Sequence, residues 1–317
     1  MSQISIVIPA YNESGTVGPT VLAAKDAFAN TSHDVEIIVV DDGSTDDTGA
    51  EAEEAGAVVI RHPKSMGYGN ALLTGVHNAK HPWIGITDAD STYPVDALPS
   101  MLDEVEERGL DMLVGARQGK YYQGSSIKRW ARVIFKALSE FTVGQRIPDI
   151  NSGLRVIRRD MITRFAPVLS GGFSFTTTIT IIGFLTHHFI DYTPIDYFPR
   201  KGASKVRYFR DTLRATQIIL TTIVFFNPIK LYLLHSFAIG IAGGIAALLC
   251  VVFPALRIAL LIGVVSLSAA LLLLGMGFLA EQYRMHSFGI TMRKRGSTYR
   301  AVSSADSETV VKSGSVR

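Results

Sequence analysis

The chain has 317 residues, enough for one large domain or two ordinary ones. Its hydrophobic content of 47% and mean hydropathy of +0.25 are high for a purely soluble protein. The net charge of +3 is modest, no nucleic-acid partner is expected, and a single cysteine excludes both a disulfide framework and a cysteine metal cluster.

Residues 1–115 alternate strand and helix patterns. Ile4–Ile8 and Val35–Val40 are short apolar runs rich in β-branched residues, as buried parallel strands are. Ser14–Phe28 reads as a helix between them, followed by a helix over Thr45–Ala55, a strand over Ala57–Ile60 and a helix over Tyr68–Ala79. Trp83–Thr87 is a fourth strand, Pro94–Arg108 a helix and Leu110–Gly115 a fifth strand. Such alternation predicts a doubly wound α/β sheet whose ligands sit at the carboxyl ends of the strands.

Acids collect at those ends. Strand one runs into Pro9-Ala10-Tyr11-Asn12-Glu13, strand two into Asp41-Asp42-Gly43-Ser44-Thr45-Asp46, and strand four into Asp88-Ala89-Asp90. Two carboxylates at i and i+2 converge on one face if the strand continues, and hard cations favour such oxygen pairs when substrate phosphates complete the octahedron. Many Asp-x-Asp pairs are only solvated loop acids or helix caps. Three acidic loops at one edge weigh against that plain reading, because packing needs none of them and their charges repel without a cation.

Two tempting motifs fail. Gly67-Tyr68-Gly69 opens like a dinucleotide fingerprint, but Leu72 stands where the third glycine belongs. Asp42-x-Ser44-x-Asp46 resembles part of a calcium loop, but Asp47 occupies the required glycine position. Ser44 or Asp46 is expected to cap the following helix instead.

Gly115-Ala116-Arg117 ends strand five, and Lys128, Arg129 and Arg132 follow on a helix running to about Phe141. Guanidinium forks suit phosphate, although such a basic run can also meet lipid headgroups. Residues 206–227 read as an amphipathic helix, with Arg207, Arg210 and Arg214 opposite Leu213, Ile218, Leu220 and Ile223, lying in the headgroup plane. Residues 231–256 and 258–280 carry no charged side chain, and each is long enough to cross a hydrocarbon core. Basic residues crowd both flanks, whereas the connection Pro254-Ala255-Leu256-Arg257 holds one, so both flanks are expected in the cytoplasm. The N-terminus starts directly on a strand without a signal core, and the tail from Gly296 is polar and expected to be disordered.

Ile8-Pro9-Ala10-Tyr11-Asn12-Glu13, Val40-Asp41-Asp42-Gly43-Ser44-Thr45-Asp46 and Asp88-Ala89-Asp90, in that order, resemble the family 2 glycosyltransferases of the GT-A fold. Pro148-Asp149-Ile150-Asn151-Ser152-Gly153-Leu154-Arg155 and Arg200-Lys201-Gly202-Ala203-Ser204-Lys205 narrow the resemblance to the dolichol-phosphate mannose synthase branch, which includes bacterial polyprenyl-phosphate sugar transferases. The resemblance implies a Rossmann-like, mostly parallel catalytic domain over 1–205. An interfacial helix would follow over 206–228, then a membrane hairpin over 229–281 with spans 229–253 and 258–280, and a tail over 282–317.

By that resemblance Pro9, Tyr11, Glu13 and Asp41 line the base and ribose pocket of a GDP- or UDP-linked sugar, and Lys64 is a further donor contact. Asp88 and Asp90 hold Mg²⁺ or Mn²⁺ on the diphosphate. Thr92 stands where the family commonly has a glutamine, which leaves a third ligand open. Arg117, with Arg129 or Arg132, binds the phosphate of a polyprenyl acceptor, and Lys205 reaches the same phosphate. Asp149 sits near the reacting centre, orienting the acceptor or supporting the metal site, unless it only shapes a turn. The implied activity is inverting transfer of mannose or glucose to a polyprenyl phosphate at the cytoplasmic face of the cell membrane, by a chain that touches the lipid bilayer and can form a homo-oligomer. The rivals are a processive polysaccharide synthase and a non-catalytic nucleotide-binding membrane anchor. The first lacks its Gln-x-x-Arg-Trp signature, since Ser126 precedes Arg129-Trp130.

Overall fold

The computed structural model describes residues 1–118, 136–172, 174–199, 228–252 and 257–292. Lys128, Arg129, Arg132, Lys205, the amphipathic segment 206–227, residues 253–256 and the tail from 293 lie outside them. The chain divides into two units, Met1–Ile223 and Val224–Arg317.

In the first unit, β1 (Gln3–Ala10), β2 (Asp34–Asp41) and β3 (Val58–Arg61) are parallel, joined by α1 (Val17–Phe28) and α2 (Thr48–Glu54). Helix α3 (Tyr68–Asn78) leads to β4 (Trp83–Ile86), which returns beside β1 in parallel. A 3-10 turn (Val95–Ala97) and α4 (Leu98–Glu107) precede β5 (Met112–Gln118). The sequence pattern anticipates each of these elements to within a few residues at its ends.

The second half of the sheet was not anticipated. After a helical stretch over residues 136–143, β6 (Arg155–Arg158) inserts antiparallel between β4 and β5. Then α5 (Arg159–Phe165), α6 (Phe175–Leu185) and β7 (Ile190–Asp196) close the order β3-β2-β1-β4-β6-β5-β7, with β7 parallel to β5. Strand β6 has only four residues and begins with a buried arginine, so it shows no strand periodicity. Helix α6 reads Phe-Thr-Thr-Thr-Ile-Thr-Ile-Ile, a β-branched run that local propensity assigns to a strand and that burial on every side overrides.

Both faces of the central strands are buried. Ile4, Ile6 and Ile8 pack with Val17 and Val21 of α1 and Leu98 and Leu102 of α4. Helix α3 covers the other face, where Gly75 lies close against Val7 and Val40. Burial on both sides explains why these strands are continuously apolar rather than alternating.

The second unit is an antiparallel helix pair, α7 (Pro228–Val252) and α8 (Arg257–Met292). The Ser236 hydroxyl donates to the Ala270 carbonyl at 2.7 Å, and a Cβ at Gly263 would sit 3.0 Å from the Gly243 carbonyl. Small residues thus let the backbones approach, as in membrane helix pairs. Leu234, Phe237, Ile245, Leu261, Leu271 and Leu279 remain exposed. Pro228–Leu249 and Leu261–Tyr283 are each long and apolar enough to cross a membrane. Helix α8 continues beyond residue 280, the expected end of the second span, to Met292.

Candidate active site

Register brings the first two loops together. Ala10 is level with Asp41, so the segments leaving β1 and β2 emerge side by side. Asn12 takes a positive φ of 50°; its amide donates to Ser44 Oγ at 2.9 Å, and its Oδ1 accepts from the Thr45 amide at 2.8 Å. The Glu13 amide donates to Thr48 Oγ1 at 2.8 Å. Pro9 and Asp41 are buried at the strand ends, Tyr11 is exposed at the mouth, and Asp41 Oδ1 accepts from the Ser44 amide at 2.9 Å. Pro9, Tyr11, Glu13 and Asp41 therefore share one edge.

Two of the acids that appeared superfluous in the sequence have structural work. Asp46 Oδ1 accepts from the Thr48 amide at 3.1 Å and Oδ2 from the Ser14 amide at 3.3 Å, so it braces the turn that enters α2; the N-cap itself is Asp47, without a side-chain bond, which corrects the expected cap at Ser44 or Asp46. Asp42 is buried and accepts from Ser65 Oγ at 2.7 Å and the Met66 and Gly67 amides at 2.8 and 2.9 Å. Its Oδ1 also pairs with His62 Nδ1 at 2.7 Å. Burial raises the Asp42 pKa, but these donors outweigh it and hold the carboxyl below its ordinary value. The argument that only a cation could reconcile the acidic loops is thereby corrected: protein hydrogen-bond donors satisfy two of the acids while leaving them ionised. Asp42→Ala is expected to destabilise the protein by about 2 kcal/mol, because it removes the buried acceptor shared by Ser65, His62 and the Met66 and Gly67 amides. A denaturant melt of the full chain checks this.

The bracketed loop is 62–67, where Lys64 is exposed and its backbone lies under Gly43. Gly67-Tyr68-Gly69 also has its explanation here. A Cβ at Gly69 would lie 2.0 Å from the Ser170 carbonyl, and the Asn70 amide donates to the Gly171 carbonyl at 3.0 Å. The two glycines admit a neighbouring backbone rather than a cofactor phosphate.

The acid pair does not sit on a continuing strand. Strand β4 ends at Ile86, and the chain turns through Asp88 and Asp90 to Ser91, whose φ is 58°. Alternation along a strand therefore does not aim the two carboxylates; the turn and its partners do. Asp88 Oδ1 accepts from the Tyr68 hydroxyl at 2.9 Å, and burial first, then the Asp88 charge, raises the Tyr68 pKa well above normal, keeping it a donor. Asp90 is buried, and its Oδ1 accepts from Thr92 Oγ1 at 2.6 Å and the Thr92 amide at 3.2 Å. The position left open for a third ligand, Thr92, instead donates to Asp90. Among the described residues no group of three or more His, Cys, Asp or Glu is placed to hold a metal. The donor chemistry still fits Mg²⁺ or Mn²⁺ shared with a diphosphate: two carboxylates, and a space over Asp88 that a side chain at 153 would fill. A Cβ on Gly153 would meet both Asp88 oxygens at 3.0 Å. Gly153→Ala is accordingly expected to lower transfer about tenfold with little change in thermal midpoint, as a small misplacement at a reacting centre does.

Arg117 and Asp149 meet directly. Arg117 Nε and Nη2 donate to Asp149 Oδ2 and Oδ1 at 2.7 and 2.9 Å, and its amide donates to Oδ2 at 3.2 Å. The Asn151 amide adds a bond to Asp149 Oδ1 at 3.1 Å. Burial raises the Asp149 pKa, yet the Arg117 bonds and charge prevail and hold it below the ordinary carboxylate value. Arg117 also lies over the Tyr197 ring at 5.3 Å; Tyr197 meets Tyr93 edge-on, and the Tyr93 hydroxyl accepts from the Gly153 amide at 2.7 Å. Tyr68, Tyr93 and Tyr197 are site residues that sequence reasoning missed. Only Tyr68, set between two glycines, carried a local signal. The other two are brought in by the fold.

The sequence model described as Glycosyl transferase family 2 matches residues 5–165. A low-salt glycan biosynthesis hexosyltransferase of Haloferax volcanii is 30% identical over 78% of this chain, which spans 59% of that protein's length. A dodecaprenyl-phosphate galacturonate synthase of Rhizobium johnstonii is 27% identical over 88% of this chain and 87% of its own. A solved glucosyl-3-phosphoglycerate synthase from Mycobacterium tuberculosis, in complex with Mg²⁺ and uridine diphosphate, superposes with a TM-score of 0.57 at 21% identity, covering 70% of this chain and 79% of that one. The last likeness shows the GT-A fold. The family match covers more than half of the chain, which belongs to glycosyl transferase family 2 and is a glycosyltransferase.

Proposed function

We propose that this glycosyltransferase moves a sugar, mannose or glucose, from a GDP- or UDP-linked donor to a polyprenyl phosphate at the cytoplasmic membrane face, with inversion. One observation carries the reading. The loop 149–153 touches both halves of the site, Gly153 lying against Asp88 and Asp149 gripping Arg117. A diphosphate on the acid turn and a phosphate on the arginine would then be neighbours. The acceptor of the Rhizobium relative, named in its product, and two helices able to cross a membrane agree with a lipid phosphate.

In this reading Pro9, Tyr11, Glu13 and Asp41 hold base and ribose, and Lys64 adds a donor contact. Asp88 and Asp90 would hold Mg²⁺ or Mn²⁺, as the Mg²⁺ and uridine diphosphate of the solved neighbour suggest, and such an ion offsets charge growing on the leaving diphosphate. Arg117 meets the acceptor phosphate, with Arg129 or Arg132 and Lys205 completing its site. A phosphate monoester with a second pKa of about 6 is largely a dianion at neutral pH, so its attack needs no strong base. Asp149 does not serve as one. It is already ionised and spent on Arg117, whose guanidinium it orients. Catalysis rests on positioning two phosphates in line at the sugar.

Incubating membranes that contain the protein with polyprenyl phosphate and a panel of nucleotide sugars tests this. One donor should yield a polyprenyl-linked sugar of inverted anomeric configuration, and no glycolipid from any donor refutes the reading. A reporter inserted at Ala255 is expected to score as non-cytoplasmic, and a cytoplasmic signal would overturn the orientation.

A further inference from the structure

Beneath the loop 149–153 lies an arginine that the mechanism has not used. Arg155 opens β6 and is fully buried, with 0% of its surface exposed. Its Nε donates to the Ser152 carbonyl at 2.7 Å and Nη2 to the Ile150 carbonyl at 2.9 Å, so one guanidinium spans two carbonyls of the loop. Nη1 donates to Thr180 Oγ1 of α6 at 2.6 Å, and α6 is itself buried through most of its length. None of the ion pairs among the described residues includes Arg155.

A fully buried charged side chain with no carboxylate in ion-pair contact, the Asp149 charge acting on it only at longer range, is a costly way to fill a core, and an apolar residue of similar volume is often neutral or stabilising by comparison. Its position suggests what sets this cost. The loop exposes its working groups on one side: Asp149 to Arg117, and Gly153 to Asp88 and the Tyr93 hydroxyl. On the other side Ser152 Oγ is buried without a partner, so that residue is tied down by its carbonyl and not by its hydroxyl. A lysine offers a point charge with no planar fork and cannot reproduce the spacing of the two carbonyls and Thr180 at once.

We infer that Arg155 is the positioning residue of the reaction centre: its fork fixes the carbonyls of Ile150 and Ser152, which sets Asp149 against Arg117 and Gly153 against Asp88. The inference rests on the proposed transfer to a lipid phosphate and concerns how that site is held in register.

The test compares Arg155→Lys with Thr180→Val in the full-length, detergent-solubilised protein. Thr180→Val removes one partner of the guanidinium and leaves both carbonyl bonds. Arg155→Lys is expected to lower kcat about 30-fold or more at a temperature where it remains folded, since a misplacement near 1 Å can cost about 100-fold. Thr180→Val is expected to stay within about twofold of wild type, because the loop register is kept. In an Arg117→Ala background the further loss from Arg155→Lys should be clearly less than additive, because the two share the Asp149 contact while the Gly153–Asp88 contact is still disturbed, whereas plain destabilisation adds. Amide exchange across 150–153 should rise in Arg155→Lys and not in Thr180→Val.

Wild-type kcat in folded Arg155→Lys, or additive losses in the double variant, overturns the inference. If Arg155→Lys does not fold, Thr180→Val decides: near-wild-type kcat and exchange uphold the carbonyl fork as the controlling contact, and a tenfold loss refutes it. Exchange is read without any substrate. Loosened 150–153 in a protein whose wild type transfers no sugar would therefore reject the proposed acceptor while leaving the positioning role standing.

Discussion

Asp90→Ala is expected to lower sugar transfer by about 10²–10³-fold, the scale on which loss of charge stabilisation at a leaving group is felt. The carboxylate is buried, held through Oδ1 by the hydroxyl and amide of Thr92 at 2.6 and 3.2 Å, and so presented in one orientation. Alanine removes that group and also leaves the Thr92 donors without their acceptor. Membrane insertion should be unchanged, because α7 and α8 form a separate unit. Turnover measured beside nucleotide binding with and without added Mn²⁺ checks the assignment. Wild-type turnover in this variant would remove Asp90 from the metal site. Thr92→Val should give a smaller loss, about tenfold, because the carboxylate and its bond from the residue-92 amide remain and only the hydroxyl bond is lost.

Arg117→Ala should weaken use of the lipid phosphate far more than donor binding, with a loss of about 10²-fold in kcat/KM for the acceptor. It should also cost about 3–5 kcal/mol of stability, because Asp149 is left buried without its partner. Arg117→Lys separates the two effects, since it keeps the charge and loses the bidentate fork. Acceptor kinetics unchanged in either variant would take Arg117 out of the site. The pair also sets a pH dependence whose sign follows from linkage. The folded-state pKa of Asp149 lies below its unfolded value, so the stabilisation is full above the ordinary carboxylate range. It is lost only as the pH falls through the depressed folded value. Between about pH 5 and 8 the pair should leave stability flat, and a fall in transfer below about pH 6 should follow protonation of the acceptor phosphate instead. Asp149→Asn should therefore lower the rate without moving that acid limb. A shifted limb would make Asp149 a titrating participant.

How much of this was legible beforehand depends on whether the information is local. Ile4–Ile8, Val35–Val40 and Trp83–Ile86 declare themselves as strands because burial on both faces requires unbroken apolar side chains. The loops that follow stand out because acids cluster at the ends of three strands, the pattern from which nucleotide and metal chemistry was expected. The apolar helix pair is equally plain, since two long runs without charge have the length that a hydrocarbon core would require. Asp42 and Asp46 show where local reading fails: each has the charge of a ligand, and only the arrangement of Thr48, Ser65, Met66 and Gly67 around them reveals a structural task.

Composition and motif order by themselves determined the fold class, the acidic edge and the apolar helix pair, because period, charge and length are properties of neighbouring residues. The tertiary structure decided which acids are already satisfied, that Asp149 belongs to Arg117, and that Tyr68, Tyr93, Tyr197 and Arg155 serve the same centre. Asp149 and Arg117 come together only because β6 inserts between β4 and β5, and Tyr197 reaches Arg117 only because β7 pairs with β5. Those pairings are long-range contacts, set by the packing of the whole sheet, and no short stretch of residues encodes them.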